Sequence, residues 1–360
     1  MSPLGLSLNT LSKNTKLNRF LRLNLLKYVV RPARKVEDFD VIKSTELQLD
    51  KSVSAAFKKY LNAIGFRSYV IPTQFGEMHY YDSNPKSDLD PLIFIHGLGS
   101  SAQSWWILAQ MLDNKRRIIM PDLFHMSGFS KANNPVMDFL QHSQSVVELI
   151  KSITNEKVDI CGLSLGGWIS LHIAATECKL INKVILMNPA GLKINLFALR
   201  DTLTYLSWKK FQTLYPGIMK AFPYTGALFL SETAKRALFR NLKSDHVKDL
   251  LKLSKPEHFM DSFLGKIKCP VLLLWGREDQ LLSNQIPIVL TKCIFNIRSV
   301  WVEKCAHVLS LEAPVNCYLE INQFLNLSGI KDNKFAKTLL SVSKPYPTNP
   351  IDIKEMNNDY

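Results

Sequence analysis

Three residues far apart in the chain, Ser164, Asp279 and His307, are of the types that carry out nucleophilic catalysis together. A serine hydroxyl attacks a carbonyl only when a base removes its proton, and a histidine base needs an acid to hold its tautomer. The order serine, acid, histidine is one in which such triads occur on an open α/β sheet. The residues therefore predict acyl-transfer or hydrolytic chemistry through a Ser-His-Asp triad.

Ser164 lies in the pattern Gly-x-Ser-x-Gly, which is weak evidence until its surroundings are considered. Here it follows the apolar run 158–161 and precedes sequence with helical periodicity. A serine on a sharp strand-to-helix turn needs neighbours without side chains, so we interpret Gly162 and Gly166 as elbow glycines. The N–H of Leu165, at the start of the helix, is then the first predicted oxyanion donor.

A second oxyanion donor is predicted in the loop after the third apolar run, at the N–H of Leu98. Gly97 lets this backbone approach a reacting carbonyl closely, so we expect the N–H of Leu98 to act together with that of Leu165. His96 is interpreted as a structural residue that bonds the loop. Asp122, after the fourth apolar run, is interpreted as a carboxylate that anchors a loop.

The acid and the base are predicted at the ends of two later apolar runs. Asp279 follows the run 271–275, and His307 follows the run 299–302. The carboxyl ends of parallel strands meet at one edge of an open α/β sheet, where ligands bind. We therefore expect Asp279 to hold His307, with the adjacent Glu278 as the alternative acid.

The elements that position these residues recur along the chain as short apolar runs, each followed by a loop and by helix-period sequence. The eight runs are 68–71, 78–81, 92–95, 117–120, 158–161, 184–187, 271–275 and 299–302. Apolar spacing predicts a crossover helix around 146–153 and a last helix from Pro314 to Phe324. This alternation predicts an α/β fold with a mostly parallel eight-stranded sheet and helices on both faces.

One interval breaks the alternation. Between Asn188 and Val271 the sequence has helical spacing and many aromatic side chains, and it is too long for a connecting loop. We therefore predict an inserted helical cap. The expected divisions are a basic, helical N-terminal extension (1–60), the α/β core (61–190 and 266–327), the cap (191–265) and a polar, flexible tail (328–360).

The composition argues against several other classes of protein. The chain has 360 residues, 46% of them hydrophobic, and no apolar run reaches the length of a membrane span. Its six cysteines show neither paired nor metal-ligand spacing, so we predict reduced thiols, no metal and no cofactor. The formal charge of +14 comes without a nucleic-acid-reading motif, so no nucleic-acid partner is expected.

The first 36 residues carry eight basic side chains and no acid, with apolar residues at helical spacing. Three interpretations stay open: a helix packed on the domain, a basic helix lying on a membrane surface, or an organelle transit segment. The segment lacks the pattern of a secretory signal peptide. We expect a location in the cytoplasm or peripheral to a membrane, with organelle import as the alternative. The sequence does not indicate the number of subunits.

The motifs together resemble the α/β-hydrolase superfamily, in particular its capped serine hydrolases, the branch of monoacylglycerol lipases, esterases and C–C bond hydrolases. The resemblance covers roughly 68–327 and depends on the segments HGLG (96–99), PDL (121–123), GLSLGG (162–167), GRED (276–279) and AH (306–307). One loop departs from the family pattern, because His125 and Met126 stand where smaller residues are usual. This departure concerns the shape of the acyl pocket.

The resemblance and the residues together imply a hydrolase that cleaves a carboxylic ester through an acyl-enzyme, without a cofactor. The expected substrate is a small molecule with a hydrophobic or lipid-like acyl group, because the cap is rich in apolar and aromatic residues. The alternatives are an acyltransferase or a C–C bond hydrolase that uses the same triad, and a non-catalytic binding or receptor protein on the same fold.

Overall fold

Side chains of the apolar runs alternate between two hydrophobic cores, one on each face of a single sheet. A computed structural model describes residues 54–55, 57–83, 89–112, 116–194, 206–214, 238–325 and 346–351. In the run that begins at Val271, residues 271, 273 and 275 belong to one core, and residues 272 and 274 belong to the other. A strand buried on both faces is therefore hydrophobic throughout rather than at every second position.

Ten strands in the described residues form the sheet, in the order β1-β2-β4-β3-β6-β7-β8-β9-β10, with β5 paired to β2. The strands are β1 (Arg67–Thr73), β2 (Gly76–Asp82), β3 (Leu92–Ile95), β4 (Ile118–Pro121), β5 (Lys131–Ala132), β6 (Val158–Leu163), β7 (Ile181–Met187), β8 (Val271–Gly276), β9 (Ile297–Val302) and β10 (Thr348–Pro350). Strands β4, β3, β6, β7, β8 and β9 run parallel. The predicted mostly parallel sheet is confirmed, and its eight predicted strands are joined by the two short strands β5 and β10.

The α-helices cover both faces of this sheet. Those that lie wholly within the described residues are α1 (Trp106–Leu112), α2 (Phe139–Ile153), α3 (Leu165–Thr176), α4 (Trp208–Leu214), α5 (Asp245–Leu253), α6 (Gln285–Cys293), α7 (Leu309–Glu312) and α8 (Pro314–Phe324). Buried residues of α2, α3 and α6 belong to one core, and buried residues of α1 and α8 belong to the other. Asp138 begins α2 with a capping box to Gln141, and Pro314 begins α8.

The described residues include parts of the predicted N-terminal extension, cap and tail. Residues 57–63 are helical, and Phe57 and Tyr60 pack on Trp106, so residues assigned to the N-terminal extension contribute to the core. In the cap, 191–194, 206–214 and 238–265 are described. The basic segment 1–36 lies outside the described residues, as do 195–205, 215–237, 326–345 and 352–360. Within the part of the chain that the structure describes, the helices are too short or too polar to cross a membrane.

Strand β10 was not predicted, because it falls in the polar segment that we expected to be a flexible tail. It pairs antiparallel with β9. The buried side chain of Asn316 forms two hydrogen bonds with the backbone of Tyr346, which lies just before β10. The amide nitrogen of Asn316 donates to the Tyr346 carbonyl (2.8 Å), and its oxygen accepts from the Tyr346 N–H (3.0 Å). A sequence pattern cannot reveal this contact, since it joins residues of polar type across thirty positions.

We expect Asn316→Ala to release residues 346–351 from the sheet edge. The substitution removes both hydrogen bonds, and the loss should lower the free energy of unfolding by about 2 kcal/mol. Hydrogen exchange followed by mass spectrometry should show faster exchange in peptides that contain 346–351. The control is Asn349→Ala, which removes only an exposed hydrogen bond to Glu303. Equal protection of this segment in wild type and Asn316→Ala would contradict the prediction.

Candidate active site

Ser164 lies on a sharp turn between β6 and α3, and its backbone is strained. Its φ is 56° and its ψ is −114°, and a conformation of this kind costs a residue other than glycine about 1–3 kcal/mol. The N–H of Ser164 donates to the carbonyl of Met187 (3.1 Å), and its own carbonyl accepts from the N–H groups of Trp168 and Ala190 (both 3.0 Å). These bonds hold the serine at the carboxyl edge of the sheet, at the start of a helix.

Glycines surround this turn because it has no space for side chains. A β-carbon at Gly162 would overlap the carbonyl of Gly166, and a β-carbon at Gly166 would overlap the carbonyl of Ile95. A β-carbon at Gly97 would lie 3.3 Å from that of Ser164. The strand, the helix and the loop after β3 therefore approach one another backbone to backbone.

The two predicted oxyanion donors belong to the segments that meet at Ser164. Leu165 is the first residue of α3, and the N–H groups in the first turn of a helix have no partner within that helix. Leu98 directly follows Gly97, whose backbone lies against the Ser164 side chain. The structure thus brings both segments beside the serine.

Asp279 and His307 form a buried hydrogen-bonded pair at the carboxyl ends of β8 and β9. The Nδ1 atom of His307 lies 2.7 Å from Oδ2 of Asp279. The other oxygen of Asp279 accepts from the N–H groups of Leu281 (2.8 Å) and Leu282 (3.1 Å). An ionised carboxylate can only accept, so Nδ1 of His307 carries the proton and Nε2 is the basic nitrogen. Glu278, the alternative acid, is exposed.

His96 and Asp122 occupy structural positions around the loop after β3. Nδ1 of His96 lies 2.8 Å from the carbonyl oxygen of Gly97, and Nε2 accepts from the N–H of Leu123 (3.0 Å). Burial lowers the pKa of His96, which keeps the ring neutral and Nε2 able to accept. Asp122 accepts from the N–H groups of Ala102 (2.8 Å) and Phe129 (2.9 Å). Both side chains therefore anchor loops, as their positions in the sequence indicated.

Asp122 also bonds to His79, with Oδ2 lying 2.7 Å from Nδ1 of the histidine. Burial acts to raise the pKa of Asp122, but the hydrogen bond and charge of His79 and the nearby His96 lower it below its usual value. The carboxylate thus stays ionised and able to accept, although it is fully buried.

The loop that departs from the family pattern connects the loop after β3 to the cap. The sulfur of Met126 accepts from the N–H of Gly99 (3.2 Å), and the Ser127 hydroxyl donates to the Gly99 carbonyl (2.6 Å). On the cap side, Asn241 donates to the Ser127 hydroxyl (2.5 Å). His125, at a φ of 57°, has its ring stacked on that of His246 in the cap, with centroids 4.6 Å apart. The unusual residues of this loop therefore serve as contacts between elements.

An apolar cluster of the cap packs against the loops of the site. Its buried members are Leu206, Phe211, Leu242, Val247 and Leu251. Leu98, Leu281 and Val308 of the core pack against this cluster. These three residues come from the loops that contain the predicted oxyanion donor, the acid and the histidine. The surface next to the candidate triad is consequently apolar on its cap side.

Asn188 is a residue of this site that sequence reasoning missed. It is fully buried at the end of β7, and its φ is 40°. Its amide nitrogen donates to the carbonyls of Ala306 (2.9 Å) and His307 (3.1 Å), and its oxygen accepts from the N–H of Gly276 (2.8 Å). A polar residue directly after a buried strand was the available signal, because that position lies at the carboxyl edge of the sheet.

Comparisons with known proteins agree with this architecture. Residues 90–263 match the family model described as the alpha/beta hydrolase fold. Lipase 1 of Psychrobacter immobilis is 24% identical over 259 residues, which cover 66% of this chain and 77% of the lipase. The 2-hydroxy-6-oxo-6-phenylhexa-2,4-dienoate hydrolase of Comamonas testosteroni is 26% identical over 251 residues, which cover 64% of this chain and 84% of that enzyme.

Among solved structures, that of naproxen esterase from Bacillus subtilis superposes with a TM-score of 0.63 at 18% identity, and the match covers 81% of this chain and 100% of the esterase. At 18% sequence identity, this structural similarity is evidence for the fold alone. The order of the strands and the serine turn between β6 and α3 agree with the sequence match. The chain therefore has the α/β-hydrolase fold.

Proposed function

We propose that this chain is a serine hydrolase that cleaves a carboxylic ester with a hydrophobic or lipid-like acyl group. One observation carries the proposal: His307 is hydrogen-bonded to Asp279 at the sheet edge where Ser164 occupies a strained turn. Two relatives named as a lipase and as a hydrolase support a hydrolytic function.

In the proposed mechanism, Nε2 of His307 takes the proton of Ser164 as Oγ attacks the ester carbonyl. Asp279 keeps the proton on Nδ1 and stabilises the imidazolium that forms. The N–H groups of Leu98 and Leu165 hold the oxyanion of the tetrahedral intermediate. The imidazolium protonates the departing alcohol, and a water activated by the same histidine then hydrolyses the acyl-enzyme.

The preference for a hydrophobic acyl group is supported by the apolar side chains on the cap side of the triad. Leu98, Leu281 and Val308 connect the three loops to the apolar cap cluster. A pocket lined by such residues favours apolar substrates, and each buried methylene adds about 0.8 kcal/mol, or roughly fourfold in binding. The basic segment 1–36 is proposed to contact a membrane surface, which would suit a lipid-like substrate.

A second candidate is hydrolysis of a C–C bond with the same residues. It is favoured by the Comamonas testosteroni relative, which is named as a hydrolase of a phenyl-substituted oxo-dienoate. The two candidates differ in the leaving group, a carbon acid in one case and an alcohol in the other. Parallel assays on p-nitrophenyl esters and on such an oxo-dienoate therefore distinguish them.

We expect a fluorophosphonate probe to label wild type at Ser164 and to fail on Ser164→Ala. His307→Ala should lower the labelling rate by at least about 10⁴-fold, because the hydroxyl then has no base. Turnover of p-nitrophenyl esters should follow the same order, with kcat/KM rising roughly fourfold per methylene until the pocket is filled. Absence of Ser164-dependent labelling together with absence of ester turnover would refute a serine hydrolase.

We expect Asp279→Asn to lower kcat by about 10⁴-fold, because an amide can place the wrong tautomer of His307 against the serine. Glu278→Gln is the matched control: it is the same isosteric change one position away, at an exposed side chain. It should leave kcat within about twofold of wild type. A larger loss in Glu278→Gln than in Asp279→Asn would reverse the assignment of the acid.

We expect Gly166→Ala to destabilise the fold, because its β-carbon would overlap the backbone of Ile95 and His96. The expected loss is about 3 kcal/mol of unfolding free energy, measured by denaturant unfolding. Gly265→Ala is the control, since a β-carbon there has nothing within 4 Å; its effect should stay within about 0.5 kcal/mol. Equal stability of the two variants would show that the backbones can separate.

A further inference from the structure

We propose that Glu312 is a positioning residue for His307. Its carboxylate accepts hydrogen bonds from the backbone on either side of the histidine and supplies a buried negative charge beside the imidazole. This inference deepens the proposed function and depends on it for its consequence in catalysis. The two hydrogen bonds from the backbone to Glu312 are a property of the fold and can be tested separately.

Glu312 is the last residue of α7, and its side chain turns back onto the loop that contains His307. One carboxylate oxygen accepts from the N–H of Ala306 (3.0 Å), and the other accepts from the N–H of Val308 (2.9 Å). Glu312 is 4% exposed. The residues immediately before and after the histidine are therefore both bound to one buried carboxylate.

Asn188 binds the same loop through its carbonyl groups. Its amide nitrogen donates to the carbonyls of Ala306 and His307, while its oxygen accepts from Gly276 at the end of β8. Glu312 thus takes the N–H groups of the loop, and Asn188 takes its carbonyls. Asn188 also links the histidine to the strand that leads to Asp279.

The loop needs such partners because it has no regular structure of its own. The stretch from the end of β9 to the start of α7 turns at Lys304, whose φ is 57°, and Cys305 to His307 are buried. Buried backbone groups without partners are costly, and each partner found also restricts where the imidazole can lie. A base must reach within hydrogen-bond distance of the proton it removes, so this restriction bears directly on the rate.

The carboxylate also acts on the charge of the imidazole. Burial raises the pKa of Glu312, while its two backbone hydrogen bonds and the nearby His307 act to lower it. Among the ion pairs of the described residues, none joins Glu312 to a lysine or arginine. An imidazolium that forms at His307 during the reaction is a cation that this negative charge can stabilise.

The other titratable groups near Glu312 and His307 come from every neighbouring element. They are Asp279 after β8, Cys305 in the loop itself, Cys317 on α8, Tyr346 before β10 and, further out, the exposed Glu278. Burial raises the pKa of Cys305, Cys317 and Tyr346, so these groups stay neutral at working pH. Among the described residues, Asp279 and Glu312 are consequently the two buried carboxyl groups next to the imidazole.

The test compares Glu312→Gln with wild type by two measurements. Gln offers one acceptor oxygen instead of two, so hydrogen exchange in peptides covering 305–309 should become at least about tenfold faster. The rate of fluorophosphonate labelling should fall at least about tenfold. The acidic limb of its pH profile should move to lower pH, because loss of the negative charge disfavours the imidazolium. KM for a p-nitrophenyl ester should change less than about twofold.

Two further variants distinguish the effect of the two backbone hydrogen bonds from the effect of the negative charge of Glu312. Glu312→Asp keeps the charge but is one methylene too short to hold both N–H groups, so exchange should rise while the acidic limb stays in place. Glu320→Gln is the matched control: it is the same change on the neighbouring helix, where Glu320 pairs with Arg298 at 2.6 Å on the surface. It should match wild type in every measurement.

Unchanged exchange, labelling rate and acidic limb in Glu312→Gln would overturn the proposal. If Glu312→Gln does not fold, Glu312→Asp decides the question: wild-type exchange in 305–309 would then overturn it. If wild type itself is never labelled, the serine-hydrolase proposal fails, and the exchange measurement alone decides whether Glu312 holds the loop.

Discussion

Backbone segments meet around Ser164 at separations that leave no space for a β-carbon, and the remainder of the site depends on this close approach. Strand β6 and helix α3 touch at Gly162, and α3 touches the end of β3 at Gly166, while a β-carbon at Gly97 would lie a tight 3.3 Å from that of Ser164. The approach forces Ser164 into a positive φ and holds its side chain between the start of a helix and the loop that contains Leu98. The strain is tolerated because hydrogen bonds from neighbouring strands and from the helix over-determine the turn.

A buried network of polar side chains holds the other loops in place along the carboxyl edge of the sheet. Asp122 and His96 fix the loops after β3 and β4, and Asn188 connects β7, β8 and the histidine loop. Each of these side chains is buried, and the hydrogen bonds that offset its desolvation are the same bonds that position the loops. The mobility of the loops is thereby reduced where a proposed base must stay within reach of a nucleophile. Glu312 extends the network on the far side of His307.

The cap contributes a different kind of constraint, since its contacts with the loops are mainly apolar. Leu98, Leu281 and Val308 pack on the cap cluster, and the stacked rings of His125 and His246 together with the Asn241–Ser127 hydrogen bond join the cap to the loop after β4. Removal of water next to the triad strengthens the interactions of charges and dipoles there. The same apolar surface is the observation behind the proposal that the substrate has a hydrophobic acyl group.

The sequence by itself determined the alternation of strands and helices, the turn at Ser164 and the order of the candidate triad, because burial periodicity and glycine requirements are local properties that a linear pattern records. It left Glu278 as an alternative to Asp279 for the acid. In the structure the side chain of Asp279 is hydrogen-bonded to His307 and that of Glu278 is exposed, which depends on how β8 and β9 lie side by side. The position of Asn188 after a buried strand was a signal in the sequence, but its hydrogen-bond partners, those of Glu312 and the contact of Asn316 with Tyr346 could not be predicted from the sequence. These partners are 4 to 119 positions away and are unremarkable in type. Only the tertiary structure decided these contacts, since a polar side chain finds its partner by proximity after the sheet has formed.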